Sequence, residues 1–235
     1  MNNKKIILYS AAITLLASQI FAANDKYELL TNDTIKIKDD IILYRIKAKK
    51  DIGGKIKAGD LGGYIQSESN LASSGNAWVA DSAIVKDKAL VKDNAIVSGH
   101  AKVEDKAVVS GNAVVTGYAD VDDHAVVTEN AMVGEYASVE DSAKVSGSSK
   151  VTGSSKVKDN AIIQDSAVIN HKAKVSGSSI IKDKSTLIDN VVVKGKSVVS
   201  GNAIIQDYVK MKDSKICSNT ILKGYIKIKN RTDDC

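Results

Sequence analysis

Most of this chain repeats a six-residue unit in strict register. From Ala77 to about Lys215, every sixth residue is small, and the residue two places later is nearly always Val or Ile. Because side chains alternate along a strand, the small residue (position 1) and the aliphatic residue (position 3) are predicted to face inward, with positions 2 and 4 facing outward. A short strict period is typical of a solenoid, in which each unit buries its apolar residues against copies of itself. The sequence therefore predicts an all-β solenoid.

Positions 5 and 6 of the hexad supply the corners. Position 5 is almost always Asp or Gly, and position 6 is often Asn, Ser or Lys. Gly accepts positive φ and Asp can hydrogen-bond locally, so both suit a tight corner. Three edges closed by three corners give a coil of eighteen residues, and residues 77–220 hold eight such coils. At Cys217 the frame is expected to slip by one residue.

The first 22 residues are typical of a secretory signal peptide. Lys4 and Lys5 precede an apolar run at residues 6–18, and Ala22 supplies a small residue before the predicted cleavage site. The mature chain is therefore expected to start near Ala23 and to be exported, as a periplasmic, cell-surface or secreted protein without a membrane span. The alternative is that the segment remains as an uncleaved anchor.

Composition limits the partners and the core of the mature chain. Without Lys4 and Lys5, the 33 basic residues fall to 31 against 28 acidic ones, a net charge of +3 that is too balanced to indicate nucleic acid. The only Phe is Phe21, so the core is predicted to consist of Val, Ile, Ala and Leu, with Trp78 at its margin. The chain has no Pro, which suits continuous strand ladders.

The two cysteines, Cys217 and Cys235, are separated by eighteen residues, the length of one coil. Export makes a disulfide between them permissible, and the spacing would place them on neighbouring coils. The alternative is a buried Cys217 that acts as a small hydrophobic residue and a free Cys235 on the tail.

The residues before the repeat predict a small β cap. Short alternating runs at 34–38 and 41–44 flank Asp39 and Asp40, which indicates a hairpin that covers the first coil. The predicted division is therefore a signal peptide at 1–22, a cap and lead-in at 23–70, the repeat at 71–231 and a polar tail at 232–235. No comparable cap is visible at the C-terminus, where lysines at 227 and 229 protect an edge.

Two sets of residues resemble a known family. The hexad, for example AIV at 83–85 and AKV at 101–103, resembles the hexapeptide-repeat superfamily, whose members fold as single-stranded left-handed parallel β-helices. The lead-in, LYRIKA at 43–48 and KAGDLGGYIQSE at 57–68, resembles the YdcK-like group of bacterial and phage hexapeptide-repeat proteins, sometimes labelled transferases. Together these features cover about four-fifths of the chain. The resemblance implies the fold and its handedness, but no established reaction.

Position 2 recurs on the same side of the prism every eighteen residues, so three outer faces can be read as columns. The first face carries, in order, Trp78, Ile96, Val114, Met132, Lys150, Val168, Thr186 and Ile204. The third face carries Leu90, Val108, Val126, Lys144, Ile162, Ile180, Val198 and Ile216. The second face carries Ile84, Lys102, Asp120, Ser138, Lys156, Lys174, Val192 and Lys210, and is mostly polar.

The two apolar columns predict an interaction surface. Long apolar columns on a soluble protein usually mark a contact, here with other copies of the chain or with an envelope or host protein. The alternative is that Val and Ile simply suit exposed strand positions. The residues predicted to form the interaction faces are Trp78, Ile96, Val114, Met132, Leu90, Val108, Val126, Ile162 and Ile180.

One acidic patch is a weak candidate for a calcium site. Its carboxylates fall on three successive coils of the second face and the adjoining corner, and close carboxylates repel unless a cation neutralises them. The alternative is a solvated acidic face offset by Lys102 and Lys106. The candidate ligands are Glu104, Asp105, Asp122, Asp123, Glu140 and Asp141, with Asp120 beside them. No other cofactor is predicted.

The histidines do not indicate an enzyme. His100, His124 and His171 all lie at corners of unbroken hexads, with no inserted loop that could build an acyltransferase pocket, and their spacing does not bring three of them to one zinc ion. His100, Tyr118 and Tyr136 share one corner column and are predicted to stack, with a ligand platform as the alternative. No residue can be named as catalytic.

The sequence thus predicts an exported, non-catalytic structural or interaction protein that associates through two apolar faces. A closed trimer is what the resemblance implies, whereas a poorly capped last coil favours an open polymer. Two alternatives remain open at this point. One is an acyltransferase-like enzyme with a site between subunits, and the other is a surface module that binds a ligand or a cation.

Overall fold

The computed structural model describes residues 24–233, and within them the chain is a β-solenoid of about nine coils. The strands are joined by turns and by two short 3₁₀ helices, Lys38–Asp40 and Glu68–Asn70, and the described residues contain no α-helix. No helix in this range is long and apolar enough to cross a membrane. The predicted signal peptide and Cys235 lie outside the described residues. The prediction of an all-β parallel solenoid with eighteen residues per coil is confirmed.

Three parallel sheets form the three sides of the prism. The first face is the outer side of a nine-stranded sheet with strands Trp78–Val79, Ile96–Val97, Val114–Val115, Met132–Val133, Lys150–Val151, Val168–Ile169, Thr186–Leu187, Ile204–Ile205 and Ile221–Leu222. The third face belongs to an eight-stranded sheet with strands Leu90–Val91, Val108–Val109, Val126–Val127, Lys144–Val145, Ile162–Ile163, Ile180–Ile181, Val198–Val199 and Lys215–Ile216.

The second face belongs to a twelve-stranded sheet, which also contains the N-terminal strands. Its repeat strands are Ile84–Val85, Lys102–Val103, Asp120–Val121, Ser138–Val139, Lys156–Val157, Lys174–Val175, Val192–Lys194, Lys210–Lys212 and Lys227–Lys229. In every sheet, residues eighteen apart are direct partners through most of the prism, as for Val114 and Met132.

The core consists of stacked small and aliphatic side chains, as the hexad predicts. Ala113 and Val115, at positions 1 and 3 of one hexad, are fully buried, and the same holds along all three sheets. Ser replaces Ala at several position-1 sites without leaving its hydroxyl unsatisfied. Ser149 and Ser155, for example, donate to backbone carbonyls three residues earlier at 2.7 and 2.6 Å. A narrow prism can therefore be filled without large aromatic residues.

The corner carboxylates bind the next coil instead of their own turn. Asp81 and Asp159 adopt φ of 55° and 60°, and their carboxylates accept the backbone N–H of Gly99 at 2.9 Å and of Gly177 at 2.7 Å. The prediction that these carboxylates form hydrogen bonds within their own turn is therefore wrong, because their partners lie on the next coil. Because backbone groups at a corner lie outside the strand ladders, these side chains supply partners that the ladders cannot.

A ladder of asparagine side chains runs along one corner column. The amide of Asn76 donates to Asn94 at 2.9 Å, Asn94 to Asn112 at 3.1 Å, and Asn112 to Asn130 at 3.0 Å. The four residues occupy position 6 at intervals of eighteen residues. The ladder ties successive corners to one another and reinforces the register that the strands set.

The predicted N-terminal hairpin is confirmed. Strands β1 (Tyr27–Lys36) and β2 (Ile42–Ala48) pair antiparallel, and β2 also pairs antiparallel with β3 (Leu61–Ile65). Strand β3 then pairs in parallel with the first repeat strand of the second face, through Tyr64 and Ile84. Parallel stacking therefore reaches back to residue 64, ahead of the predicted start of the repeat at 71.

Residues 26 and 27 close the N-terminal end of the core. Tyr27 and Lys26 are both buried, and the Tyr27 hydroxyl donates to the carbonyl of Leu71 at 2.7 Å. The Lys26 ammonium donates to the carbonyl of Ala72 at 2.8 Å. Burial, together with the charge of Lys50, lowers the pKa of Lys26 to about 8. The hairpin thus covers the first coil, as the sequence predicts.

Trp78 corrects the predicted first face. The prediction places it on an exposed column, but its side chain is only 1% exposed. The loop at residues 51–60 lies over this part of the face, closed by a bridge between Ile52 and Ile56. The Trp78 ring also lies against β3, where a Cβ added to Gly62 would be 2.8 Å from it. The prediction is wrong because the covering loop lies outside the repeat. The six-residue pattern therefore does not indicate that this loop buries Trp78.

The frame slip also differs from the prediction. Val199 pairs with Ile216, seventeen residues away, so one corner residue is missing before that strand. Ser214 follows Asp213 directly, takes position 1 and is 3% exposed, and Ile216 is fully buried at position 3. The slip therefore lies between Asp213 and Ser214, not at Cys217, and Ile216 does not belong to the outer column.

Cys217 is buried beside this slip. Its predicted disulfide partner is Cys235, the only other cysteine in the sequence. Cys235 lies outside the described residues, so the pairing of the two stays a prediction for disulfide mapping. The predicted polar tail is partly structured, because Thr232 forms a parallel bridge with Lys215.

Candidate interaction surfaces

The first face presents an apolar column beside a column of small side chains. Ile96, Val114 and Met132 point outward and are half-buried by their neighbours. The position-4 side chains next to them are short. Ser98 donates to Thr116 on the next coil at 2.9 Å, which holds both hydroxyls close to the sheet. The result is a flat strip that a second surface could approach closely.

The third face has the same construction. Leu90, Val108 and Val126 form its upper column, and each is half-buried. Ser110 and Thr128 lie beside Val108 and Val126 and are joined by a hydrogen bond of 3.0 Å, whereas Lys92 lies beside Leu90. Ile162 and Ile180, farther along the prism, also point outward. Apart from Trp78, the residues predicted for the interaction faces therefore lie where the hexad register places them.

One coil interrupts both apolar columns at the same height. Lys150 stands on the first face between Met132 and Val168, and Lys144 stands on the third face of the same coil. Ser138 occupies the equivalent position on the second face. Each apolar face is therefore divided into two patches, an upper one nearer the N-terminal cap and a lower one nearer the C-terminus.

The second face carries four outward carboxylates on three adjacent rungs, where a rung is one strand of one sheet. They are Glu104, Asp120, Asp122 and Glu140. The outer two are paired with lysines, Glu104 with Lys86 at 3.2 Å and Glu140 with Lys156. Partial burial would raise the pKa of Glu140, but hydrogen bonds from Lys156 and Ser138 lower it overall.

The inner two carboxylates have no such support. One carboxylate oxygen (Oδ1) of Asp120 and one of Asp122 is buried without a hydrogen-bond partner among the described residues. Burial and the neighbouring carboxylates Glu104 and Glu140 raise the pKa of Asp120. Burial and the charge of Asp120 raise the pKa of Asp122 to about 7. Asp122 therefore changes its charge near neutral pH.

The other carboxylates of the predicted calcium site point elsewhere. Asp105, Asp123 and Asp141 lie at the corner, where Asp123 accepts the backbone N–H of Asp141 at 3.1 Å and Asp141 that of Asp159 at 3.0 Å. Within residues 24–233, no group of three or more His, Cys, Asp or Glu side chains is arranged to hold a metal ion. The predicted ligands thus divide into a face group and a corner group that serve different contacts.

Replacing Asp122 by Asn is expected to stabilise the protein at pH 8. A folded-state pKa raised from 3.8 to about 7 means that ionisation opposes folding above pH 7. As the pH falls from 7 towards 4, the folded wild type takes up a proton and loses this penalty. The difference in free energy of unfolding between Asp122→Asn and the wild type should therefore become smaller as the pH falls from 7 towards 4.

Urea unfolding of both proteins at pH 8, 6 and 4.5 measures this difference. Asp39→Asn is the control, because Asp39 is exposed at the hairpin turn and does not contribute to the raised pKa of Asp122, so its replacement should change stability little at each pH. A stability difference for Asp122→Asn that is the same at all three pH values would contradict the assignment.

The histidines are not brought together. His100 stacks on Tyr118 with ring centroids 4.8 Å apart, and Tyr118 stacks on Tyr136 at 5.1 Å, so the predicted stack is present. His124 lies at another corner. His171 lies at the same corner as His100, but at position 5 instead of position 6, and is about four coils away, roughly 19 Å at the usual strand spacing.

The environment of His171 is the closest approach to a catalytic arrangement. Its Nδ1 lies 2.8 Å from Oδ1 of Asp189, and Ser154 stands on the preceding coil in the same open depression. No hydrogen bond joins the Ser154 hydroxyl to the imidazole in the described part of the chain. A serine nucleophile needs such a bond to a base for its activation, so these residues do not form an assembled triad.

Sequence reasoning missed a group of lysines at the lower end of the second face. They occupy positions 2 and 4 on five successive rungs, and reading both positions as columns to the end of the repeat would have found them. The lysines are Lys156, Lys158, Lys174, Lys194, Lys210, Lys212, Lys227 and Lys229. We call this surface the lysine face.

No protein-family model matches the chain, and no curated protein matches it significantly in sequence. The parallel solenoid with eighteen-residue coils is the architecture that the hexapeptide resemblance implies. Membership of the YdcK-like group rests on the motifs at 43–48 and 57–68 and stays a prediction.

Proposed function

We propose that this chain is an exported, non-catalytic structural protein whose prism associates with further copies of itself through the first and third faces. The observation that carries the proposal is that outward apolar residues stand beside short position-4 side chains on both faces, at residues 96–134 of the first face and at residues 108–128 of the third. Export rests on the sequence of residues 1–22.

The contrast between the faces separates this proposal from simple β-propensity. Propensity accounts for single Val and Ile residues at exposed strand positions. It does not account for the position-4 neighbours, which are Ser98 and Thr116 on the first face but Glu104 and Asp122 on the second. Short neighbours allow another sheet to approach to the packing distance of about 10 Å. On the coils that carry Val114 and Val126, short side chains therefore stand beside apolar ones on the first and third faces but not on the second.

The matched heights of the patches favour a second copy as the partner. Val114 on the first face and Val126 on the third belong to one coil, and Lys150 and Lys144 end both upper patches in a single later coil. The first face of one prism can therefore pack side by side against the third face of the next, patch on patch. Such head-to-tail contacts give either a closed ring, including the trimer, or an open polymer.

A double variant, Val114→Lys with Val126→Lys, is expected to weaken association at least tenfold. Both side chains point outward, and each lysine would place a charge in the middle of an apolar contact. The measurement is size-exclusion chromatography with light scattering over a range of concentrations.

The matched control is Val192→Lys, the same substitution at an outward position of the second face. It should leave association unchanged. If the double variant assembles as well as the wild type, or if the control loses assembly equally, the first and third faces are not the contact.

A further inference from the structure

The lysine face is far more basic than the balanced charge of the chain suggests. Eight of the ten outward positions on its five rungs are lysines, and the other two are Ser176 and Val192. Three of the lysines have an acidic neighbour: Lys156 pairs with Glu140, Lys158 with Asp159 and Lys212 with Asp213. Within residues 24–233, no ion pair is formed by Lys174, Lys194, Lys210, Lys227 or Lys229.

The lysines are stacked directly over one another. Lys194 is the strand partner of Lys212, and Lys212 of Lys229. Lys210 is likewise the partner of Lys227. Partners on neighbouring rungs are about 4.8 Å apart, and like charges placed directly opposite one another destabilise a sheet. An arrangement that opposes folding in this way indicates an anionic partner that offsets the repulsion.

Shallow grooves run along this surface. One is lined by Lys172, Lys174, Val192, Tyr208 and Lys210. The next begins at Val192 and Lys210 and continues to the last rung. The lysine face is therefore a narrow strip, two side-chain columns wide and roughly 19 Å long at the usual strand spacing. Its shape fits an extended chain that lies along the prism axis.

We propose that the lysine face binds a linear acidic polysaccharide that carries about one carboxylate or sulfate per sugar. The sugars of such a chain advance by roughly one strand spacing each, so successive anionic groups would meet successive lysine rungs. Lysine ammonium groups are compact point charges that suit single carboxylates and sulfates. Ser176 adds a hydroxyl between the charges.

Three features disfavour a nucleic acid in this place. The phosphates of a duplex wind around a helix and would meet a straight strip only locally. Single strands are held by stacking bases on aromatic rings, but Tyr208 and Tyr225 are stacked on each other at 4.5 Å, which leaves no space for a base between them. The face also contains no Arg, the residue that best matches phosphate geometry.

The binding surface is separate from the two apolar faces, so the proposal does not depend on self-association. The test uses protein expressed from the full-length sequence and measures its affinity for polygalacturonate and for chondroitin sulfate by titration calorimetry, at two salt concentrations. A triple variant, Lys194→Glu, Lys210→Glu and Lys212→Glu, is expected to lower the affinity at least a hundredfold. Val192→Lys, which fills the gap in the strip, is expected to raise it severalfold.

The matched control is Lys92→Glu, Lys144→Glu and Lys150→Glu, which changes the net charge equally on the other two faces. It should alter the affinity less than threefold. Equal loss in both triple variants would show general charge attraction and overturn the proposal. So would failure to bind either polysaccharide, or tighter binding of single-stranded oligonucleotides or of anionic lipid vesicles at the same charge concentration.

Discussion

Replacing Val127 by Lys is expected to destabilise the protein by more than about 4 kcal/mol, enough to unfold much of it. Val127 is fully buried at position 3 of its hexad, between Val109 and Val145 on the neighbouring rungs. The lysine would lose the burial of an apolar side chain and place an unpaired charge in a core that consists of aliphatic groups. The inward side chains on the neighbouring rungs, Val109 and Val145, offer the ammonium group no polar partner.

The matched control is Val126→Lys, one residue earlier and pointing outward. It should change the free energy of unfolding by less than about 1 kcal/mol. Urea unfolding followed by far-ultraviolet circular dichroism measures both variants. Equal destabilisation by the two substitutions would show that the inward and outward positions are wrongly assigned.

Replacing Trp78 by Ala is expected to cost about 3–5 kcal/mol, the usual range for a buried large aromatic residue. Trp78 fills the space between the first coil, the loop at 51–60 and strand β3. Its removal leaves a cavity where the cap meets the repeat, and Gly62 brings the two backbones too close for other side chains to fill it. Cap and prism should therefore separate more readily in the variant.

Ile96→Ala is the control, because Ile96 stands next to Trp78 in the same column but is only half-buried. Its cost should be below about 1.5 kcal/mol, since only part of the side chain is removed from water. The comparison again uses urea unfolding. If Trp78→Ala costs no more than Ile96→Ala, the loop does not cover the tryptophan in solution.

The repeat made the architecture predictable from the sequence. The alternation of Ala and Val with outward residues determines which side chains are buried, because a shift by one residue would turn each strand inside out. The Asp39 and Asp40 turn likewise predicts the hairpin, which the structure confirms. These predictions succeed because they depend only on residues close together in the chain or on a strict period.

The wrong predictions concern residues whose contacts or register the six-residue repeat does not determine. Trp78 has the position of an exposed residue, and only the folding back of residues 51–60 buries it. The sequence predicts the frame slip at Cys217, whereas it lies between Asp213 and Ser214. The difference arises because Ile216 is aliphatic and therefore fits position 2 of one frame and position 3 of the other. A five-residue spacing between Val209 and Ser214, both small enough for position 1, is the signal that would have located it.

The outer surfaces were predictable in part. The columns containing Val114 and Val126 follow from the eighteen-residue coil. The unpartnered oxygens of Asp120 and Asp122, by contrast, depend on side-chain conformations that no spacing contains. The net charge of the chain does not indicate the lysine face, because acidic residues on other coils offset its positive charges.

Sedimentation velocity of the unmodified protein over a wide concentration range, with electron microscopy of the same samples, tests the proposed association most directly. Association through the two apolar faces predicts species that grow with concentration, either a discrete ring such as a trimer or extending polymers. A strict monomer at every concentration would contradict association through the first and third faces.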